Sequence, residues 1–315
     1  MLEQLPSPRA SLLVRSRRAG ALLLCLLCLL CAPILAGATG ASADRPGRIV
    51  SLAPNLTEIL FALGAGPQMA GVTDYCDYPP EARRLPRVGG YVNPSPEAVL
   101  ALAPDLVVAT PNVGNQPFVE RLMRVGTRVV VVQARNLSEV FPAIETLGKA
   151  AGRREEASAL NERLRDGIRA ARARVAGARR PRTLLCVQLE PLLAAGHESY
   201  PNDLLEIAGG ESIVPPGTGS YPNLSLELVV RAAPEIVIVT RMDSPAGARP
   251  AEGLLSWWGR WPSIPAVRDG RVHAVPGDTL LRPGPRLLDG IDLLIGLIHP
   301  DRRATEPPLP GGGAS

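Results

Sequence analysis

Short runs of apolar, mostly β-branched residues recur along the chain and alternate with stretches whose apolar positions have helical spacing. Runs of this kind predict strands that are buried on both faces of a parallel sheet. The predicted strands are residues 49–52, 106–109, 128–132, 183–187, 236–239 and 272–275. Strands that alternate with helices predict an α/β fold with parallel sheets.

Residues 89–110 match residues 219–240 without a gap, at a constant offset of 130. In each copy a serine caps a helix, a glutamate lies in its first turn, a proline ends it and a strand follows. The match is compatible with duplication and with convergence on one helix-to-strand unit, and both predict two similar lobes. The identical pairs are Gly89/Gly219, Tyr91/Tyr221, Asn93/Asn223, Ser95/Ser225, Glu97/Glu227, Val99/Val229, Ala103/Ala233, Pro104/Pro234, Val107/Val237 and Thr110/Thr240.

Two further helices have clear signals. Asn55 is predicted to cap a helix that has Glu58 at its third position and is ended by Gly64. A longer amphipathic pattern runs from about residue 153 to 178, between the two copies of the repeat. A helix of about 24 residues spans roughly 36 Å. We therefore expect a single helix to connect the two lobes rigidly.

The first 43 residues have the pattern of a secretory signal: a basic stretch, an uncharged leucine-rich run and small residues. An uncleaved anchor is one alternative, although the apolar run is short for a ~20-residue span. Lipidation is another, but Cys25, Cys28 and Cys31 each follow Leu. Only Cys76 and Cys186 remain after the leader, compatible with one bridge or two free thiols. The predicted division is 1–43 signal peptide, 44–152 N-terminal lobe, 153–180 connecting helix, 181–303 C-terminal lobe and 304–315 disordered tail.

Composition and charge narrow the function classes. With 315 residues, 46% of them hydrophobic, the chain can bury a large core, so disordered and fibrous architectures are poor interpretations. The formal net charge is +4, and the leader's four arginines and one glutamate account for three of these charges. The remainder does not support a nucleic-acid-binding surface.

The sequence lacks the G-x-S-x-G, H-E-x-x-H and P-loop motifs, and its three histidines are widely spaced, which disfavours a catalytic or metal site. Tyrosines fall in the Gly- and Pro-containing connections, where α/β sheets bind ligands. Tyr91 and Tyr221, at equivalent points of the repeat, are candidates to face each other across a cleft, or each packs within its own lobe. Asp278 is a candidate ligand contact or a turn residue. We expect a cleft with few charges and several tyrosine faces.

Four segments together resemble the periplasmic cobalamin-binding proteins of ABC importers. These segments are residues 57–64, Tyr75-Cys76-Asp77-Tyr78-Pro79-Pro80, residues 97–110 and residues 272–278. The similarity covers about residues 47–303 and extends to the wider family that binds ferric siderophores and haem. It implies two Rossmann-like lobes with parallel sheets, joined by a single long helix, around a ligand in the cleft.

The resemblance also implies residue roles and partners. Tyr75 and Tyr91 match ligand contacts of the first lobe, Tyr221 matches one of the second lobe, and Asp278 begins a second-lobe contact loop. Glu97 and Glu227 match the glutamates that meet arginines on the two permease subunits. The expected protein is a periplasmic monomer without a cofactor or metal site, which delivers cobalamin or a related metal macrocycle to a permease dimer and its ATPase. A siderophore or haem receptor and an exported α/β enzyme are the alternatives.

Overall fold

The computed structural model describes residues 45–111, 116–241 and 251–302. The predicted signal peptide and the predicted disordered tail lie outside the described residues. The first lobe is built on a four-stranded, fully parallel sheet. Its elements are β1 (Ile49–Ser51), α1 (Pro54–Ala62), β2 (Met69–Val72), α2 (Pro96–Ala101), β3 (Leu106–Ala109), α3 (Gln116–Arg124), β4 (Val129–Val131) and α4 (Leu137–Ala151).

Both faces of this sheet are covered, because alternate strand residues enter different cores. In β3, Leu106 and Val108 pack into the core that contains α1 and α4, whereas Val107 and Ala109 pack into the core that contains α2 and α3. The strand order is β2-β1-β3-β4, so β4 is an edge strand. The prediction of burial on both faces is confirmed for β3 and wrong for β4, whose Val131 is exposed at the edge.

A long helix follows the first lobe. Helix α5 (Arg154–Val175) has 22 residues and is therefore about 33 Å long. Its predicted apolar stripe, which includes Leu160, Leu164 and Ile168, is buried. The helix packs on α4 of the first lobe and on the last helix of the second lobe. It therefore bridges the two lobes along its length.

The second lobe repeats the design of the first. Its elements are β5 (Arg182–Gln188), β6 (Leu193–Ala194), α6 (Tyr200–Ile207), β7 (Glu211–Ser212), α7 (Leu226–Ala232), β8 (Ile236–Arg241), α8 (Ala251–Trp258), α9 (Pro265–Arg268), β9 (Val272–Pro276), α10 (Gly277–Leu281) and α11 (Leu287–Ile298). The five-stranded sheet has the order β6-β5-β8-β9, and the short strand β7 pairs with the first residues of β5. All pairs are parallel except β5 with β6. The predicted α/β fold class, with two Rossmann-like lobes joined by a single long helix, is confirmed.

The inner faces of both sheets share one contiguous core. This core contains Leu106 of β3 and Ile238 of β8 together with buried residues of α1, α4, α5, α6 and α11. The outer face of the second sheet has a separate core around α7, α8 and α9, in which Trp258 is fully buried. The two lobes are therefore joined by packing as well as by the long helix.

The repeat has the same backbone geometry in both copies. Ser95 and Ser225 accept hydrogen bonds from the amides of Ala98 and Leu228, 3.1 and 3.2 Å away, which confirms the predicted caps. Positive φ angles also recur at the offset of 130: 96° at Gly89 and 90° at Gly219, and 42° at Ala103 and 45° at Ala233. The alanines follow the two helices as left-handed residues, a conformation that favours glycine.

Several local predictions are corrected by the structure. Helix α1 begins at Pro54, and its N-cap is Ala53, so Asn55 lies within the first turn and is not the cap. Proline is well suited to the first helical position because its fixed φ matches the helix. The short strand β2 was not predicted, since Gly71 interrupts its apolar run. Cys76 and Cys186 are both buried and free, so the predicted alternative of a bridge is excluded.

Candidate ligand-binding cleft

A cavity of about 910 Å³ lies between the lobes, and we call it the cleft. All four parallel strands of the first sheet contribute to it from the segments that follow their carboxyl ends. The second lobe contributes the loop before α7 and the segment from α10 to the start of α11. The lining residues are Pro54, Asn55, Tyr75, Tyr91, Val92, Thr110, Pro111, Gln133, Ala134, Arg135, Ser220, Tyr221, Asp278, Leu281, Arg282 and Pro283. The position is the usual ligand site of an open α/β sheet.

Three tyrosines line the cleft, two from the first lobe and one from the second. Tyr75 and Tyr221 are 41% and 46% exposed, so their rings are accessible to a ligand. Tyr91 is partly buried against the core, and its hydroxyl is 2.9 Å from Oγ1 of Thr110. The structure therefore brings the repeat-related pair Tyr91 and Tyr221 to one cavity, but with unequal exposure.

The loop that carries Tyr221 is fixed by a close backbone contact. The amide of Gly196 donates a hydrogen bond to the carbonyl of Ser220 at 2.9 Å. A Cβ on Gly196 would lie 2.0 Å from the carbonyl oxygen of Gly219, so only glycine fits there. The walls of the cleft desolvate the Tyr221 hydroxyl and raise its pKa. The phenol therefore stays protonated over the physiological pH range.

Asp278 lies in the first turn of α10 and also lines the cleft. Its Oδ1 is 2.9 Å from a guanidinium nitrogen of Arg282, one helical turn later. All four predicted ligand contacts, Tyr75, Tyr91, Tyr221 and Asp278, thus border a single cavity. Their role as ligand contacts stays a prediction.

The cleft carries more charge than the sequence predicted. Arg135, Asp278 and Arg282 all line it. Arg135 is an exposed side chain that pairs with Glu139 at 2.7 Å. Arg282 is 14% exposed and bonds three carboxylates, of which only Asp278 is near in sequence. Of the three ion pairs of Arg282, only the one with Asp278 has a local sequence signal, which is the four-residue spacing of the two residues.

The carboxylates around Arg282 respond differently to burial. Burial alone would raise the pKa of Asp77, but the hydrogen bond and charge of Arg282 outweigh it and lower that pKa. Burial raises the pKa of Glu58, and Arg286 and Arg282 oppose that shift. The cluster combines three carboxylates and two guanidiniums close to the floor of the cleft.

Glu97 and Glu227 are not in the cleft. Both are exposed in the first turns of α2 and α7, so they occupy equivalent surface positions of the two lobes. Oε2 of Glu97 accepts a hydrogen bond from the capping Ser95 hydroxyl at 3.2 Å. Both carboxylates are therefore accessible to solvent and lie outside the cleft lining.

The described residues contain no group of three or more His, Cys, Asp and Glu side chains placed to hold a metal ion. None of the helices within those residues combines the length and the apolar character that crossing a bilayer requires.

Comparisons with known proteins agree with this architecture. The sequence model of the family described as "Periplasmic binding protein" matches residues 49–279. A vitamin B12-binding protein of Vibrio parahaemolyticus is 28% identical over 245 residues, which are 78% of this chain and 86% of that protein.

Two solved structures share the fold. The periplasmic vitamin B12-binding protein BtuF of Vibrio cholerae superposes with a TM-score of 0.69 at 27% identity, covering 82% of this chain and 99% of that one. The periplasmic haem-binding protein BhuT, solved with two haems, has a TM-score of 0.71 at 29% identity and the same coverage of both chains.

Proposed function

The chain belongs to the periplasmic binding protein family, and from this premise we propose that it captures cobalamin in the cleft and delivers it to an ABC importer. The observation that carries the proposal is the convergence of Tyr75, Tyr91 and Tyr221, from two lobes, on one cavity of about 910 Å³. Aromatic faces with a few convergent polar groups suit a bulky macrocycle. A bare metal ion would need converging histidines or carboxylates.

Haem is the second candidate ligand, because the cleft also offers accessible phenols. A tyrosine can serve as the axial ligand of haem iron, and Tyr75 and Tyr221 are each more than 40% exposed in the cleft. Burial raises the pKa of the Tyr221 hydroxyl, which disfavours the phenolate form that ligates iron. A ferric siderophore is the remaining alternative within the family.

Calorimetric titration of the purified protein with cobalamin, haem and a ferric siderophore tests the choice. We expect one-to-one uptake of cobalamin with a micromolar or tighter Kd. Visible absorption gives a second readout, since a tyrosine-ligated haem has its own spectrum. Tight haem or siderophore binding without cobalamin uptake would contradict the choice of ligand and leave the receptor class intact.

Delivery to a transporter is proposed to use Glu97 and Glu227. The two carboxylates are exposed at equivalent places of the repeat, on lobes joined by the long helix. Two carboxylates on separate lobes match a permease dimer that presents a basic group on each subunit. As part of the same proposal, residues 1–43 direct export to the periplasm, 44–152 and 181–303 are the lobes, and the protein acts as a monomer.

An exported enzyme is the alternative from another class. Periplasmic binding proteins act in transport and are not catalysts, and this family membership supports a receptor. Prolonged incubation with cobalamin followed by mass spectrometry of the ligand tests this directly. We expect the ligand to be recovered unchanged, and a chemically altered product would favour the enzyme.

A further inference from the structure

A buried carboxylate joins the two lobes beneath the cleft. Glu58 lies on α1 of the first lobe, and its side chain is 1% exposed. Its carboxylate is 2.5 Å from a guanidinium nitrogen of Arg286 and 3.3 Å from one of Arg282, both in the second lobe. Glu58 is not among the residues that line the cleft. Glu58 is connected to the cleft lining through its contact with Arg282.

The arginines are held from both lobes. Arg282 also contacts Asp77 of the first lobe at 2.6 Å and Asp278 of its own lobe at 2.9 Å. The guanidinium of Arg286 lies over the ring of Tyr78, 4.2 Å from its centroid, and Tyr78 also belongs to the first lobe. A planar guanidinium that is bonded on several sides has a fixed orientation. Arg282 is the member of this group that faces the cleft.

Stability alone is a weak reason for such a cluster. The cost of burying charges often cancels their attraction, so well-packed apolar residues would hold the lobes together as well. Hydrogen-bonded charged groups fix one relative position of the segments that carry them, because a small displacement breaks the hydrogen bonds. Apolar contacts tolerate such a displacement.

We propose that Glu58 is a positioning residue of the cleft. It orients Arg282 toward the ligand and holds the two lobes in one relative position, which we call the lobe register. The effect on ligand affinity rests on the proposed function. The effect on lobe register does not, and it has its own reporters. The amide of Leu137 donates to Oδ2 of Asp203 at 2.7 Å, and the amide of Tyr200 donates to the carbonyl of Arg135 at 3.0 Å. Both hydrogen bonds cross between the lobes, and neither is made by Glu58, Arg282 or Arg286.

Amide hydrogen exchange, resolved to single residues, tests the register in Glu58→Gln. We expect exchange at Leu137 and Tyr200 to become about tenfold faster or more. Exchange at Val107 and Val237, within the two sheets, stays at the wild-type rate. Glu235→Gln is the matched control, because Glu235 pairs with Arg179 and accepts a hydrogen bond from the amide of Arg182, both of which lie outside the first lobe. It should leave both reporters unchanged.

A uniform rise in exchange that includes the two sheet amides would show general destabilisation and overturn the proposal, as would unchanged reporters. Should Glu58→Gln fail to fold, Arg286→Gln serves instead, since Arg286 makes the shortest contact with Glu58 and its side chain is 16% exposed. It should speed exchange at the same two reporters and leave the two sheet amides at the wild-type rate. Unchanged reporters in a folded Arg286→Gln would likewise overturn the proposal.

Calorimetry with cobalamin provides the second arm. We expect the Kd of Glu58→Gln to rise by about tenfold or more, as for the loss of a charged hydrogen bond. If the wild type binds cobalamin and Glu58→Gln binds it equally well, the positioning role is refuted while the receptor stands. If the wild type binds none of the three ligands, the proposed function fails, and the exchange experiment alone decides the role of Glu58 in lobe register.

Discussion

Replacing Tyr221 by alanine removes the aromatic face that the second lobe presents to the cleft. A fully covered aromatic side chain buries about 150–250 Å². Because 46% of Tyr221 is exposed in the unliganded protein, a ligand that covers the ring removes roughly 90 Å² from water. At about 25 cal/mol per Å², this contact contributes up to about 2.3 kcal/mol. The Kd for cobalamin should therefore rise by about tenfold to 50-fold in Tyr221→Ala.

The same substitution should barely affect folding. A half-exposed ring contributes little to the core, so the unliganded Tm should shift by only about 2 °C. Tyr91→Ala is expected to differ, because Tyr91 packs against the main core and its hydroxyl bonds Thr110. That variant should lose both affinity and several degrees of Tm. Isothermal titration calorimetry and thermal denaturation measure the two effects separately.

Two control variants sharpen the Tyr221 experiment. Tyr221→Phe keeps the aromatic face and should bind almost as tightly as the wild type. Leu255→Ala truncates another side chain that is 40% exposed, on α8 and outside the cleft lining, and should leave the Kd unchanged. If Tyr221→Ala binds cobalamin with the wild-type Kd, the ligand does not cover this ring, and the reasoning from the cleft is refuted.

Three further predictions concern other parts of the molecule. Glu97→Ala combined with Glu227→Ala should leave the Kd unchanged and abolish most ligand-stimulated ATPase activity of a reconstituted importer. Full stimulation of the ATPase by the double variant would show that both glutamates only stabilise the starts of their helices. Ala103→Gly and Ala233→Gly should each raise the free energy of unfolding by about 0.5–1 kcal/mol in denaturant titrations, since glycine relieves the left-handed strain, and a loss of stability would contradict this. Burial raises the pKa of Cys186 to about 12, so iodoacetamide should label this thiol at pH 8 only after unfolding. Above about pH 8.5 the thiol ionises in the unfolded chain but not in the folded protein, so its contribution to the free energy of unfolding should decline as the pH rises. Rapid labelling of the folded protein, read by peptide mass spectrometry, would show that the thiol is accessible.

The sequence predicts those parts of the fold that depend on neighbouring residues. The cap at Ser95, the buried strand Leu106–Ala109 and the stripe of the long helix follow from local patterns, and the structure has all three. The edge position of β4 could not be predicted, because strand order is set by packing between distant segments. Among the cleft residues, Tyr221 was identified as a candidate because it is equivalent to Tyr91 in the repeat.

The charged cluster illustrates what sequence patterns leave out. Glu58 meets Arg286 across 228 positions of the chain, and no periodicity links residues so far apart. Glu58 is the only charged residue of α1, and a single charge on a largely buried helix is a signal of burial with a partner, but that signal does not name the partner. The partner is defined only once both lobes have folded around α5.

The core shared by the two lobes has a consequence for the order of folding. Its members range from Ile49 in the first strand to Ile298 in the last helix, so a nascent chain cannot complete it before almost the whole sequence has been synthesised. The first lobe on its own would expose the apolar sides of α1 and α4 to water. We expect early folding intermediates to be unstable and the finished protein to unfold in one cooperative transition rather than lobe by lobe. Late completion of the core would keep the chain extended for longer, in agreement with the export proposed for residues 1–43.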